Sequence, residues 1–309
     1  MNTHRMSRRH FVQTTALAVT GAALSAQAKP GVSWPIGAFN RPWMQQFGTK
    51  TQPITVPQRA NWGIDVALAG AEKAGYKYFG YLTTMPDDPF NGSNATPEYL
   101  AGLKKKTTAH HLRANMCALR QKESMSLDEQ IKDVRKQVDN AHTLGTEWML
   151  TFGVEKPEHF DTYYKLMADI ADYCADKNIK LVMKPHGGGS GAAEEILRCI
   201  KAVNKSNFKI WYDAGNIIYY TGKDPVEQLK PIVQYVTGFC AKDCDGQKGD
   251  VFVQFGQGKV DFPAVFGELK KAGFNGPVMV ECAAGKTFDE VTANAKANRL
   301  FLEKVFASL

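Results

Sequence analysis

The sequence predicts a single (β/α)8 TIM barrel. Eight short apolar runs alternate with amphipathic helical stretches along the chain. Apolar strands separated by helices indicate a parallel sheet whose outer face is covered by those helices. About 280 residues remain once an N-terminal export signal is set aside, a usual length for eight such units. A doubly wound open sheet is the alternative, but no Gly-x-Gly-x-x-Gly motif follows the first predicted strand, and we expect no nucleotide cofactor.

The N terminus has the pattern of a twin-arginine export signal. Residues 7–12 (SRRHFV) precede an apolar run over residues 16–23, and residues 26–28 (AQA) offer the small side chains of a signal-peptidase site. The apolar run is too short to span a bilayer. We therefore expect residues 1–28 to be a signal peptide and residues 29–309 to form the barrel. The mature protein is expected in the periplasm or outside the cell, without membrane attachment.

The strands are predicted from short apolar runs bounded by turn residues. They cover residues 34–39, 76–82, 112–118, 147–152, 179–183, 209–212, 235–240 and 277–280.

The helices between the strands have recognisable capping residues at their ends. Ser126 and Glu129 form a capping box, and Gly145 ends the helix that this box opens. Asp224 before Pro225 opens a later helix, and a second capping box at residues 287–290 opens the last one.

Charge and cysteine content exclude some partner classes. The net charge of +7 falls to +4 when Arg5, Arg8 and Arg9 leave with the signal peptide, which is too mild a charge for a nucleic-acid binder. The one lysine run, residues 104–106, is expected on a solvated helix face. The six cysteines lack the dense spacing of a disulfide framework, and we expect unpaired thiols in preference to a disulfide.

The eighth-strand sector gives the first candidate catalytic residue. A glycine loop at residues 256–258 leads into a helix, a turn and a buried strand that ends on Glu281. The carboxyl ends of barrel strands carry the active site, so we predict a catalytic or metal-binding role for Glu281. Residues 49–61 and 85–94 follow the first two strands and are read either as loops over the barrel mouth or as ordinary surface loops.

From about residue 34 onward the chain resembles the xylose isomerase-like barrels, also called the sugar phosphate isomerase/epimerase superfamily. The resemblance rests on residues 211–216 (WYDAGN), 241–243 (AKD), 256–258 (GQG) with Asp261, and 280–281 (VE). It implies a small carbohydrate substrate and proton abstraction next to a carbonyl, giving isomerisation or epimerisation. Lyase or hydratase action on a keto-sugar or 3-keto-glycoside is the alternative outcome, and a non-catalytic sugar-binding barrel is the competing class.

The resemblance also implies a divalent metal at the barrel mouth. In the family its ligands are a glutamate, an aspartate, a histidine and a glutamate at the ends of strands five to eight. Asp213 and Glu281 match this pattern, whereas Lys184 and Cys240 replace the other two ligands. A protonated lysine has no lone pair to offer a metal.

Three outcomes stay open at the metal position. In the first outcome, His186 joins Asp213 and Glu281 as ligands for Mn, Fe, Co or Zn. Alternatively, the Lys184 ammonium takes the place of the metal. In the third outcome the barrel has no catalytic activity.

The remaining candidate residues take their roles from the same resemblance. Glu281 is predicted as ligand or base, Lys184 as the stabiliser of an oxyanion, and His186 as ligand or acid–base group, while Lys242 is a weaker catalytic candidate. A backbone-bonded loop histidine is the alternative for His186, and a surface ion pair with Asp243 is the alternative for Lys242.

Three further residues are predicted to bind substrate. Trp43 and Phe152 are aromatic side chains near strand ends, and Asn216 is placed to orient a substrate hydroxyl or a metal-bound water. A turn role is the alternative for Asn216, and a helix cap is the alternative for Asp213.

Overall fold

Eight parallel strands close into a barrel in the part of the chain that the structure describes, and each strand is hydrogen-bonded to the next in chain order. The structure is a computed structural model that describes residues 31–44, 63–83 and 95–309. The strands are β1 (Ile36–Phe39), β2 (Tyr78–Tyr81), β3 (Arg113–Ala118), β4 (Trp148–Thr151), β5 (Lys180–Met183), β6 (Phe208–Tyr212), β7 (Val236–Ala241) and β8 (Val278–Val280). β1 also pairs with β8. The predicted (β/α)8 barrel is confirmed, and every predicted strand lies within two residues of the observed one.

Helices cover the outside of the barrel. In the described residues they are α1 (Arg41–Met44), α2 (Ile64–Lys73), α3 (Pro97–Ala109), α4 (Leu127–Leu144), α5 (Phe160–Asp176), α6 (Ala193–Val203), α7 (Ala214–Thr221), α8 (Pro225–Leu229), α9 (Phe262–Lys271) and α10 (Phe288–Ser308).

The helix boundaries follow the predicted capping signals. The Ser126 backbone N–H donates to the Glu129 carboxylate at 2.9 Å, and the Ser126 hydroxyl accepts from the Glu129 N–H. Gly145 ends α4 in the left-handed conformation, with φ of 79°, which glycine adopts without steric cost. Capping by Asp224 and by Thr287 is observed as well.

Two sequence predictions fall outside the described residues. They are the signal peptide at residues 1–28 and the mouth loops at residues 49–61 and 85–94. Among the helices that the structure describes, none combines the length and the apolar character that a membrane crossing requires.

Large side chains fill the barrel interior below the mouth. Trp148 of β4 and Trp211 of β6 meet edge to face, with ring centroids 5.5 Å apart. They belong to an interior cluster that also contains Phe39, Leu82, Met116, Ala118, Leu150, Val182, Cys240 and Met279. The barrel is therefore packed beneath the mouth, as TIM barrels usually are.

Gly238 of β7 makes room for the indole of Trp211. A Cβ atom at position 238 would lie 2.1 Å from the Trp211 ring. We expect Gly238→Ala to lower the free energy of unfolding by about 1–3 kcal/mol, the usual cost of overpacking a core. Gly267→Ala is the control, because a Cβ atom there meets nothing within 4 Å. Urea denaturation should give a lower free energy of unfolding for Gly238→Ala than for Gly267→Ala. Equal values would show that the Trp211 side chain can shift without loss of stability.

Candidate active site

The carboxyl ends of neighbouring strands bring polar side chains to one end of the barrel. The first residue after each of β4 to β8 carries its side chain there. These residues are Phe152, Lys184, Asp213, Lys242 and Glu281. The last four contact one another, and we call them the charge quartet.

In the charge quartet, two ammonium groups meet two carboxylates. Lys184 Nζ lies 2.7 Å from Glu281 Oε2 and 3.4 Å from Asp213 Oδ2. Lys242 Nζ lies 3.3 Å from Asp213 Oδ2 and 3.5 Å from Glu281 Oε2. All four side chains are at most 3% exposed. Charges buried to this degree are tolerated only when they are paired, which accounts for the close mutual contacts.

Arg41 is a fifth charged member of the site, and it is not among the residues predicted from the sequence. Its guanidinium donates to Glu281 Oε1. Asn40, the residue before it, ties the end of β1 to the end of β2, because the backbone N–H groups of Leu82 and Thr83 both donate to Asn40 Oδ1 at 2.9 Å. Arg41 is the second residue after β1, one position further from its strand than the quartet residues are from theirs, so a strand-end rule extended by one residue could have found it.

The shifted pKa values of Glu281, Lys184 and Lys242 mean that these groups are charged at neutral pH. Burial raises the pKa of Glu281, but Lys184, Lys242 and Arg41 together bring it well below its ordinary range. Burial lowers the pKa of both lysines, and the carboxylates more than reverse this, so both pKa values lie above the ordinary value. At neutral pH the lysines are therefore ammonium groups, and Glu281 is a carboxylate of weak basicity.

Asp213 is at once a helix cap and a member of the quartet. Its Oδ1 accepts from the Asn216 backbone N–H at 2.8 Å, which caps α7. Its Oδ2 is buried and makes no directed hydrogen bond in the described part of the chain, although two ammonium groups face it at 3.3 and 3.4 Å. The attraction at Oδ2 is therefore mainly electrostatic. The Asn216 side chain donates to the Pro185 carbonyl, so its amide N–H is used in positioning this turn.

Lys242 and Asp243 do not form the surface ion pair that was the alternative reading of these residues. Lys242 is buried and contacts the quartet carboxylates. The Asp243 carboxylate accepts backbone N–H groups from Cys244, Gly256 and Gly258 at 2.8–2.9 Å, and from Val260 at 3.1 Å. Asp243 thus organises the glycine loop beside the strand that presents Lys242.

His186 lies beside the quartet in a different set of contacts. Its ring lies 2.9 Å from the Tyr220 hydroxyl and packs edge-on against Phe152 at 5.3 Å between centroids. Burial, with added effect from Lys184 and Lys242, lowers the pKa of His186 to about 3. The imidazole is therefore neutral and retains a nitrogen lone pair for proton transfer.

Trp43 has a structural role, contrary to the substrate-binding role predicted for it. Its side chain is fully buried, its indole N–H donates to the Thr292 hydroxyl at 3.1 Å, and its ring packs against Gly70. Trp43 belongs to α1, and the contacts of its ring are with α2 and α10. Phe152, by contrast, is half-buried at the mouth, and its substrate contact stays a prediction.

Three side chains of types that can ligate a metal lie close together, but this set differs from the predicted one. In the described residues, ligand atoms of Asp213, Cys240 and Glu281 lie within 4.8 Å of one another, and His186 is not in this group. Burial, and then Asp213 and Glu281, raise the pKa of Cys240 well above its usual range, so it is a thiol that donates to Glu281. Metal ligation requires a thiolate.

The quartet as arranged does not fit a divalent cation. Two ammonium groups already contact both carboxylates, and Arg41 adds a third positive charge on Glu281. A dication placed there would meet three cations and only two carboxylates. The residues instead fit a centre whose positive charge comes from lysine.

Comparisons with known proteins agree with this architecture. A family model described as xylose isomerase-like TIM barrel matches residues 68–305. The chain is 26% identical over 129 residues to an inosose dehydratase of Clostridium botulinum, an alignment that spans 36% of the chain and 43% of that relative. The match therefore covers less than half the length of this curated relative.

Solved structures share the fold at low sequence identity. A xylose isomerase-like TIM barrel protein from Mycobacterium smegmatis, solved in complex with magnesium, superposes with a TM-score of 0.70 at 14% identity, over 89% of this chain and 97% of that one. D-allulose 3-epimerase from Methylomonas sp., in complex with D-allulose, gives 0.65 at 18% identity, over 90% and 98%.

Proposed function

Because the chain belongs to the xylose isomerase-like TIM barrel family, we propose that it is a carbohydrate-acting enzyme that removes a proton next to a substrate carbonyl. The proposal rests above all on Lys184 and Lys242, whose ammonium groups lie at the carboxyl ends of β5 and β7 and contact the same two carboxylates. They give the site a positive centre built from the chain itself. Fixed positive charge of this kind stabilises an enediolate oxygen.

In the proposed reaction, His186 accepts the proton from the carbon next to the carbonyl, because the negative charge that develops on the substrate oxygen offsets Lys184 and Lys242, which help to lower the pKa of this ring in the free site. The electron pair of the broken C–H bond moves to the carbonyl oxygen, which becomes an enediolate held by the Lys184 ammonium. Return of the proton to the former carbonyl carbon, with transfer of the hydroxyl proton from one enediolate oxygen to the other, gives an isomer. Delivery of a solvent-derived proton to the opposite face of the original carbon gives an epimer. Glu281 and Asp213 hold the ammonium groups in place through their ion pairs with Lys184 and Lys242.

The substrate must reach a centre that is almost completely covered. Lys184 is 1% and Lys242 is 3% exposed, whereas Phe152, His186 and Tyr220 are half-buried. We propose that the substrate enters over these three rings and meets Lys184 after a local opening of the mouth.

Loss of water is the second candidate outcome. The matches to inosose dehydratases favour it. The same enediolate would then expel a hydroxyl group from the next carbon, and a proton delivered to that oxygen would release water. The lysine centre would serve both reactions. The choice between them depends on whether a proton donor lies next to a carbon of the enediolate or next to the hydroxyl group that leaves.

Solvent deuterium incorporation tests the proposal. The purified protein is incubated with keto-sugars and 3-keto-glycosides in D2O and followed by NMR. Deuterium at the carbon next to the carbonyl supports proton abstraction, and an added alkene signal identifies the lyase. Saccharide binding without any exchange would make the chain a non-catalytic sugar-binding barrel and overturn the proposal.

Metal content separates the lysine centre from a metal centre. We expect the wild-type protein to contain less than stoichiometric divalent metal, and its deuterium exchange to survive chelation. Lys184→Glu restores the carboxylate that the family resemblance implies at this position, and we expect it to bind Mn²⁺ or Co²⁺, since carboxylates are suitable ligands. Lys180→Glu, at the opposite end of β5, is the control. Stoichiometric metal in the wild type, with exchange lost on chelation, would contradict the lysine centre.

Export by the twin-arginine route completes the proposal. Residues 7–12 carry the arginine pair, so we expect Arg8→Lys with Arg9→Lys to keep the protein in the cytoplasm. Fractionation of cells that express each form gives the answer. Equal periplasmic amounts of both forms would show that the arginine pair does not direct export.

A further inference from the structure

The main chain of Arg120 is held at the barrel mouth by two hydrogen bonds to a side chain. It lies two residues after β3, and the buried side chain of Gln137 in α4 makes two hydrogen bonds to its main chain. The Arg120 N–H donates to Gln137 Oε1 at 2.8 Å, and Gln137 Nε2 donates to the Arg120 carbonyl at 2.8 Å. The residue is therefore fixed in position before any ligand arrives.

The guanidinium of Arg120 has little compensation for its charge. One of its N–H groups donates to the Leu82 carbonyl, and its face lies 4.9 Å from the centroid of the Phe152 ring. Burial alone accounts for the lowered pKa of Arg120, with no contribution from a carboxylate in the described parts of the chain. A guanidinium offers five donors, and in the described residues the Leu82 carbonyl accepts from one of them, which leaves other donors available to a ligand at the mouth.

Phe152 connects Arg120 to the charge quartet. The same ring lies 5.4 Å from Lys184 Nζ, so the guanidinium and the proposed oxyanion-binding ammonium flank one aromatic side chain. A substrate bound beside Phe152 would have Lys184 at its carbonyl end and Arg120 within reach of a second group.

The described charges at the mouth sum to an excess of cations. Arg41, Lys184 and Lys242 share the carboxylates of Asp213 and Glu281, and Arg120 adds a fourth positive charge. With the Asp243 carboxylate, which accepts from four backbone N–H groups, these four cations still outnumber three carboxylates.

We propose that Arg120 binds an anionic group of the substrate, a carboxylate or a phosphate, so that the enzyme acts on a sugar acid or a sugar phosphate. This proposal rests on the proposed function for the identity of the site, and it adds the substrate class. The planar fork of arginine matches both anions with two parallel hydrogen bonds.

Calorimetric binding tests the proposal without requiring turnover. D-glucuronate is compared with D-glucose, and D-fructose 6-phosphate with D-fructose. We expect at least one anion to bind about 10- to 100-fold more tightly than its neutral match, the range for a charge-assisted hydrogen bond. Preference for glucuronate alone identifies a carboxylate, and preference for the phosphate alone identifies a phosphate. Equal binding of anion and neutral match, or binding of neither anion, overturns the proposal.

Variants assign the preference to Arg120. In Arg120→Gln we expect the anion preference to fall to within about threefold, since one charged hydrogen-bond donor is removed. Arg113→Gln is the matched control, because Arg113 lies at the other end of β3 and pairs with Glu147. Arg120→Lys keeps the charge without the fork and should retain part of the preference, which provides a test if the glutamine variant fails to fold. An unchanged preference in both Arg120 variants contradicts the assignment.

Deuterium exchange into neutral keto-sugars without any anion preference would overturn this proposal and leave the proposed function standing.

Discussion

Replacing Lys184 with methionine is expected to lower the rate of proton abstraction by about 10²- to 10³-fold, the usual cost of removing one group that stabilises a developing oxyanion. Methionine has similar length and no charge, so the enediolate oxygen would lose its nearest cation. Deuterium exchange in D2O measures the effect.

The fold should survive this replacement. After Lys184 is removed, Arg41 and Lys242 still balance Asp213 and Glu281. Lys180→Met is the control, because Lys180 begins the strand that Lys184 follows and lies at the opposite end of the barrel. Lys184→Arg keeps the charge and should retain more activity than Lys184→Met. A folded Lys184→Met variant that exchanges at the wild-type rate would remove Lys184 from the mechanism.

Replacing Glu281 with glutamine is expected to have the largest effect on stability, a loss of about 3–5 kcal/mol, which is the range for breaking a buried ion pair. Glu281 accepts from Arg41, Lys184 and the Cys240 thiol. A neutral amide would leave the buried Lys184 and Lys242 and the half-buried Arg41 with the carboxylate of Asp213 alone. Urea denaturation at pH 7 measures the loss.

The stability difference should depend on pH in a defined direction. The folded state holds the pKa of Glu281 well below its ordinary value. The stabilisation is therefore fully present above the pKa of the unfolded chain, about 4.3, and is lost as the pH falls through the lower pKa of the folded state. The gap between wild type and Glu281→Gln should be constant from about pH 6 to 8 and narrow below about pH 4.

A surface carboxylate provides the comparison. Glu268 of α9 pairs with Lys271 on the outside of the barrel, and Glu268→Gln should change stability little, as is usual for exposed pairs. Equal effects at positions 268 and 281 would show that the quartet does not stabilise the fold.

Local sequence signals predicted the fold almost completely. The strands follow from short apolar runs, and the ends of α4 and α10 follow from capping boxes, since each signal involves neighbouring residues. The strand-end rule identified Glu281, and the family resemblance added Lys184 and Asp213. The structure brings the three together because all follow parallel strands at the same end of the barrel.

The site was harder to predict where partners are distant in the chain. Trp43 and Arg41 both follow β1, yet one packs under the helices and the other reaches Glu281, 240 residues away. The surface ion pair considered for Lys242 failed for the same reason, since its partners come from β6 and β8. Only barrel closure decides which way each side chain turns.

The ion pair between Arg41 and Glu281 crosses the junction where β1 meets β8. This junction joins the two ends of the barrel sequence, and contacts so distant in sequence form late and slowly during folding. The proposed catalytic centre would therefore assemble only in the last step of closure, and we expect a nascent or C-terminally shortened chain to be inert rather than partly active. Refolding experiments that compare the return of activity with the return of helical circular dichroism would show activity lagging behind.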